Sequence, residues 1–195
     1  MEEPTRITQT SGPEVEPVTI EDLTDFLRIP ELGSSEYHQL LGVAQSAREW
    51  AERWSGRQFI TATWTTTWAA FPVYYIRLIR PPIQSVVDIT YRDTDGVTQT
   101  LGASKYHVVA NDTTPYVVRA SGESWPSTER HPEAVTVQQK CGYGDAPADV
   151  PWAIRLSILQ YAATLWEHRE SEIVGSVSQL KTNPEQTLAQ YWVPQ

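Results

Sequence analysis

Apolar residues change their spacing twice along this chain, and the changes divide it. From Thr19 onward Ile20, Leu23, Phe26 and Leu27 recur at three and four residues, the stripe of a short helix. Thr19 and Asp22 stand at capping-box spacing, and Pro30 and Gly33 end the segment. A longer helix follows, capped by Ser34 or Ser35. Its stripe is Tyr37, Leu40, Leu41, Ala44, Ala47, Ala51 and Trp54, and Gly56 sits where a left-handed C-terminal cap belongs.

From Gln58 to Lys140 the spacing falls to near two, and β-branched and aromatic residues dominate. Strands are predicted over residues 61–68, 74–79, 86–92, 97–101, 106–110, 116–120 and 134–140. Pro81-Pro82 cannot continue a central strand, and Asp95-Gly96 between two strands marks a hairpin. Seven short strands predict an antiparallel sheet or small sandwich. Helical spacing then returns. Asp149 caps a helix with Pro151 in its first turn, and Ile154, Ile158, Tyr161, Ala162, Leu165 and Trp166 carry its stripe to about His168. A last apolar cluster is Leu188, Tyr191, Trp192 and Val193. The predicted fold is α+β: a small helical bundle (residues 18–56 and 148–170) with an inserted antiparallel β block (57–147). Its flexible termini are an acidic arm (1–17) and a tail (171–195).

Composition narrows the function. The chain has 195 residues, 40% of them hydrophobic, with eight Trp, enough to bury a core. Its net charge of −9 is uneven: residues 1–36 carry −7 and the rest only −2. A nearly neutral body with an acidic front lacks the basic face of a protein that coats nucleic acid. The single cysteine, Cys141, excludes an internal disulfide and a zinc site of several thiolates. No apolar run approaches the ~20 residues of a membrane span. The first residues lack the basic start and apolar stretch of a secretory signal, so the expectation is a protein that stays where it is made.

Catalytic signatures are sparse. There is no phosphate-binding P-loop, no dinucleotide fingerprint and no nucleophile elbow. The glycines of Cys141-Gly142-Tyr143-Gly144 read as a turn. His38, His107, His131 and His168 are not spaced as helical metal pairs. His168 complements a helix dipole, and His131 lies in a proline-flanked loop. Asp93 and Asp95 flank a turn, where forming the turn is the ordinary role of Asp. The expectation is no catalytic residue, no cofactor and no metal.

The tryptophans read mostly as core. Trp50 and Trp54 share a helix face, and Trp64 and Trp68 share a strand face. Trp64, Trp68 and Trp125 are also candidate interface aromatics, since Trp carries much of the energy in protein interfaces. Trp125, in a Pro-rich loop, and Trp192, near the end, are the hardest to bury.

Several stretches, in order, resemble the head–tail connector (adaptor) proteins of tailed bacteriophages and related gene transfer agents. They are TIEDLTDFLRI, AREWAERWSGRQFITATW, WAAFPVYYIRLIRPPIQSVVDITYRDTDGVTQTL, SKYHVV, Trp125-Pro126 and AVTVQQKCGYGDAPADVPWAIRLSILQYAATLWEHRE. The resemblance spans about residues 18–192. It implies a structural protein rather than an enzyme. Such subunits form a ring, commonly a dodecamer of about twelve copies, beneath the portal protein. The ring extends the DNA channel and receives the stopper or another head-completion or tail component. DNA passes through the lumen without sequence-specific binding, and no membrane is involved. The implied location is the virion, at the head–tail junction, after assembly in the bacterial host cytoplasm. The C-terminal segment reaches the portal, which by position makes Leu188, Tyr191, Trp192 and Val193 the partner-binding residues. The long acidic arm and the ending QYWVPQ, with no basic residue beside the aromatics, depart from the family pattern.

Two other readings have distinct requirements. An aromatic-rich β binding module for carbohydrate or protein would expose Trp64, Trp68 and Trp125 in a groove. An enzyme would bring Cys141 or His131 together with acids in one pocket. On the connector reading, the acidic front faces the channel mouth or a basic patch on a partner.

Overall fold

The computed structural model describes residues 3–167 and 183–194. The chain forms two compact units, one of Met1–Pro13, Thr61–Tyr143 and Pro194–Gln195, the other of Glu14–Ile60 and Gly144–Val193. The α+β class and the helices flanking a β block are as the spacing predicts.

The helical unit begins with α1 (Ile20–Leu27). Thr19 Oγ1 accepts the Asp22 N–H at 3.0 Å and Asp22 Oδ2 accepts the Thr19 N–H at 2.8 Å, a complete capping box. Helix α2 (Ser34–Ser55) starts on Gly33, not on a serine. The Glu36 carboxylate accepts the Gly33 N–H at 3.0 Å, so the third helical residue closes the end that no hydroxyl does. Gly56, at φ 72°, ends α2 in the left-handed conformation expected of it. Helix α3 (Trp152–Glu167) follows a 3₁₀ turn, Pro147–Asp149. Asp149 caps that turn, accepting the Ala146 N–H at 2.9 Å, so its capping role lies one turn upstream of the prediction.

Leu40, Ala44, Ala47 and Ala51 of α2 are buried, as are Ile154, Ile158 and Ala162 of α3. Alanines let the two backbones approach, and Trp50 stacks on Tyr161 with ring centroids 4.0 Å apart. The stripes are narrower than predicted. Only Leu23 of α1 is buried, while Phe26, Tyr37 and Leu41 are exposed. A short α1 and the first turns of α2 have too little packed against them to cover a whole stripe. His168 lies outside the described residues.

All seven predicted strands form, but among the described residues an eighth precedes them and they divide into two sheets. The strands are β1 (Arg6–Ser11), β2 (Ala62–Trp68), β3 (Ile76–Arg77), β4 (Ile83–Arg92), β5 (Thr98–Thr100), β6 (Tyr106–Val109), β7 (Tyr116–Arg119) and β8 (Val135–Cys141). One sheet has the order β1-β2-β8-β4-β5 and the other β3-β7-β6, with every pair antiparallel. Strand β1 corrects the expectation of a flexible arm over residues 1–17. Its backbone pairs with β2 from Arg6 opposite Thr67 to Ser11 opposite Thr63. The Asp95-Gly96 hairpin joins β4 to β5, with Gly96 at φ 78°. Trp68, Ile76, Leu78, Ile89, Leu101, Val117, Val135 and Val137 form the core of this unit.

Candidate functional site

The C-terminal segment was the leading partner-binding candidate, and its geometry sorts the four residues into two roles. Asn183 caps a five-residue helix, α4 (Pro184–Leu188), through its side chain, which accepts the Glu185 N–H at 3.0 Å. A 3₁₀ turn, Ala189–Tyr191, follows. Leu188 is fully buried and Val193 nearly so, both in the core of the helical unit. Backbone contacts fix the same stretch. Val193 donates to the Ser55 carbonyl at 2.9 Å, and Arg57 Nε donates to the Tyr191 carbonyl at 2.5 Å. Leu188 and Val193 are therefore anchors, not free contact residues. Trp192 is 54% exposed and Tyr191 half-buried, so these two rings are what the anchored segment presents. Residues 183–193 are part of the folded helical unit, not a loose tail.

The other three candidates do not make a platform. Trp68 is 3% exposed and belongs to the β core. Trp125 stacks on Phe71, centroids 5.0 Å apart and planes 8° from parallel, in a loop that Glu129 pins to Arg92. Trp64 is half-buried beneath the Arg80 guanidinium, 5.1 Å from its centroid. A sugar-stacking groove needs all three rings open on one surface, and the packing of Trp68 and Trp125 removes that reading. A Pro-rich loop looked exposed by composition. It is instead closed over the sheet by one aromatic stack and one ion pair.

The chemistry-bearing side chains have structural roles. Cys141 is buried on β8, and burial pushes its thiol up to about 12, so it is not a thiolate near neutral pH. Its Sγ lies 3.1 Å from Gln139 Nε2, which also donates to the Ile79 carbonyl at 2.6 Å. His131 Nδ1 accepts the Glu133 N–H at 3.0 Å. Asp93 makes the turn expected of it, accepting from Gln99 Nε2 and from the Val97 and Asp95 N–H groups, with its carboxyl held below its usual value by those bonds. Among the described residues no group of three His, Cys, Asp or Glu is placed to hold a metal. No described helix is long and apolar enough to cross a membrane.

Part of the acidic front is spent inside the helical unit. Glu16 pairs with Arg48 Nε and Asp22 with the Arg155 guanidinium, each at 2.8 Å. Those two acids are not available to a channel or a partner patch. Val73 and Tyr74, just before β3, are 61% and 79% exposed and were not candidates, and Trp152 at the head of α3, grouped with the tryptophans that read mostly as core, is 59% exposed. The doubled tyrosine after Phe71-Pro72 was the available signal. It was absorbed into a predicted strand that in fact narrows to Ile76–Arg77.

No protein-family model matches the chain, and no curated protein does. Solved structures do. A chain from the structure described as the virion of a native gene transfer agent particle superposes with TM-score 0.81 at 16% identity, over 97% of this chain and 96% of that one. A chain from the neck of an empty gene transfer agent particle, computed with C6 symmetry, gives 0.82 at 16% identity over the same shares. A chain from the neck of the native particle, computed with C12 symmetry, gives 0.79 at 14% identity, again covering 97% and 96%. At these identities the likeness establishes a shared fold, and it runs through both units.

Proposed function

We propose that this chain is a structural subunit of a phage-like virion neck: a head–tail connector that forms a ring under the portal, extends the DNA channel and joins the capsid to the stopper or tail. The observation that carries the reading is the length of the likeness, 97% of this chain on 96% of a gene transfer agent neck chain. The match is not confined to the sheet; it takes in the helical unit and the β insertion together. Particle necks computed with sixfold and twelvefold symmetry favour a ring of copies. The order of sequence stretches resembling adaptor proteins supports the same role independently. The work of such a chain is assembly, not catalysis.

In this reading Tyr191 and Trp192 contact the portal, while Leu188 and Val193 hold them in place. Removing residues 186–195 would strip two core side chains as well as the contact, so truncation cannot separate binding from folding. Trp192→Ala can. The variant is expected to keep its unfolding midpoint and to lose most portal binding in a pull-down. Unchanged binding would take Trp192 out of the contact. Particles assembled without this chain should hold packaged DNA but no tails; tailed particles would contradict the neck role itself.

A further inference from the structure

Strand β1 is held to its sheet by its backbone. It pairs with β2 from Arg6 to Ser11, with a register shift on β1 between Gln9 and Ser11, and the Thr5 N–H adds a bond to the Thr67 carbonyl at 2.7 Å. Yet it buries no side chain: five of its six residues are exposed, Ile7 by 50%. Its side-chain bonds are two surface ones, Arg6 to Glu133 at 3.4 Å and Thr10 Oγ1 to the Thr63 carbonyl at 3.2 Å. The attachment is therefore a main-chain ladder, and a ladder is indifferent to which copy of the chain supplies the strand.

The need lies on the other side. Strand β2 is paired to β8 on one edge and to β1 on the other, and Thr66 and Trp68 of β2 are buried. Without β1, β2 becomes an open edge of regular, β-branched backbone, the kind of edge that recruits another strand. The far side of the sheet is different. There β5 has three residues, and β4 carries register shifts between Ile83 and Ser85 and between Val86 and Asp88, irregularities that blunt an edge. The sheet thus has one edge suited to receiving a strand.

The connection suits an exchange as well. The chain leaves the β unit after Pro13, and Glu16 and the Pro17 carbonyl are then tied to Arg48 and Arg155 of the helical unit at 2.8 Å and 3.0 Å. Between β1 and that clamp lie Gly12, Pro13, Glu14 and Val15, which extended reach about 14 Å.

We infer that β1 is an exchange strand: in the assembled ring, β1 of each copy pairs with β2 of the next copy and completes its sheet. Each copy then gives one strand and receives one, the head-to-tail relation a closed ring requires. The inference rests on the ring reading of the preceding section.

The test uses the full chain with Thr8→Cys and Thr65→Cys together, residues directly opposite in the β1–β2 register. Cys141 is buried and stays. The variant is assembled on the portal, oxidised mildly, and divided between native mass measurement and a denaturing gel. Exchange predicts a covalent ladder from an oligomeric sample. An oligomer whose chains run as single covalently closed molecules overturns the exchange and leaves the ring standing. A sample with no oligomer at all overturns both. Mixing Thr8→Cys chains with Thr65→Cys chains gives an independent reading, since any disulfide between the two must join different copies. Deleting residues 1–11 is expected to leave cooperative unfolding and abolish the oligomer. A truncated chain that still assembles fully overturns the exchange.

Discussion

The helical unit buries charge and the β unit does not. Among the described residues the buried charged side chains are Arg48, Glu52 and Arg57, all in the helical unit. Arg48 lies between Glu16 and Glu52, bonded to them at 2.8 Å and 2.9 Å. Glu52 also accepts from Gln58 Nε2 at 2.7 Å and from the Phe59 N–H at 3.1 Å. One carboxylate thus ties the end of α2 to the segment that leads into β2. The ion pairs of the β unit, Arg6 with Glu133, Lys105 with Glu123 and Arg92 with Glu129, are solvent-exposed to various degrees, and its centre is an apolar cluster. The two units are thus specified differently. Apolar packing tolerates small rearrangement, whereas a buried pair allows one arrangement and penalises the rest.

Glu52→Ala probes the buried charge of the helical unit. It removes the acceptor of the buried Phe59 N–H and one of the two close carboxylates of Arg48, whose bond to Glu16 remains, at a cost of about 2–4 kcal/mol. Urea unfolding should show the loss, and a loss below about 1 kcal/mol would mean water replaces the carboxylate. The matching change in the β unit, Ile89→Ala, removes a fully buried side chain and should cost about 2–5 kcal/mol, with little dependence on salt. Equal salt dependence of the two variants would show that charge matters no more to the helical unit than to the β unit. Thr19→Ala removes the α1 cap and is expected to cost about 1 kcal/mol, read from the thermal midpoint.

The smallest effect is a pH dependence. Partial burial opposes the charge of Asp22, but bonds from Thr19 and the Arg155 guanidinium outweigh it and hold the carboxyl below 3.8. The unfolded chain then takes up the proton first as the pH falls. The contribution is complete above the unfolded value and is lost as the pH drops through the folded one. Asp22→Asn should therefore shallow the acid limb of the stability curve below about pH 4 and leave its neutral part parallel to wild type. An unaltered acid limb would show the Arg155 pair to be inert.

How much of this was legible in the sequence follows from range. Thr19 with Asp22, Gly56 and Asp95-Gly96 are local signals, and each does what its chemistry dictates. The strands of the β block were legible from alternation, but their division into two sheets depends on pairings across scores of residues that spacing does not encode. Strand β1 was missed because RITQTS has one large apolar residue and buries none; its order comes from backbone bonds to β2. Arg48 and Glu52, four apart on a helix, have the spacing of an ordinary surface pair, and the bonds that tie them to Glu16, Gln58 and Phe59 come from segments outside the helix. Among the terminal candidates, composition marked Leu188, Tyr191, Trp192 and Val193 as one cluster. A five-residue helix is too short for periodicity to tell anchors from presented rings.

If this chain works as a ring in a virion neck, its assembled mass shows it. Native mass measurement of the full chain with the portal is predicted to show the portal plus a closed, fixed number of copies, absent when the portal is left out or reduced to smaller species. A chain that remains a strict monomer in both samples, at every concentration, would contradict the claim.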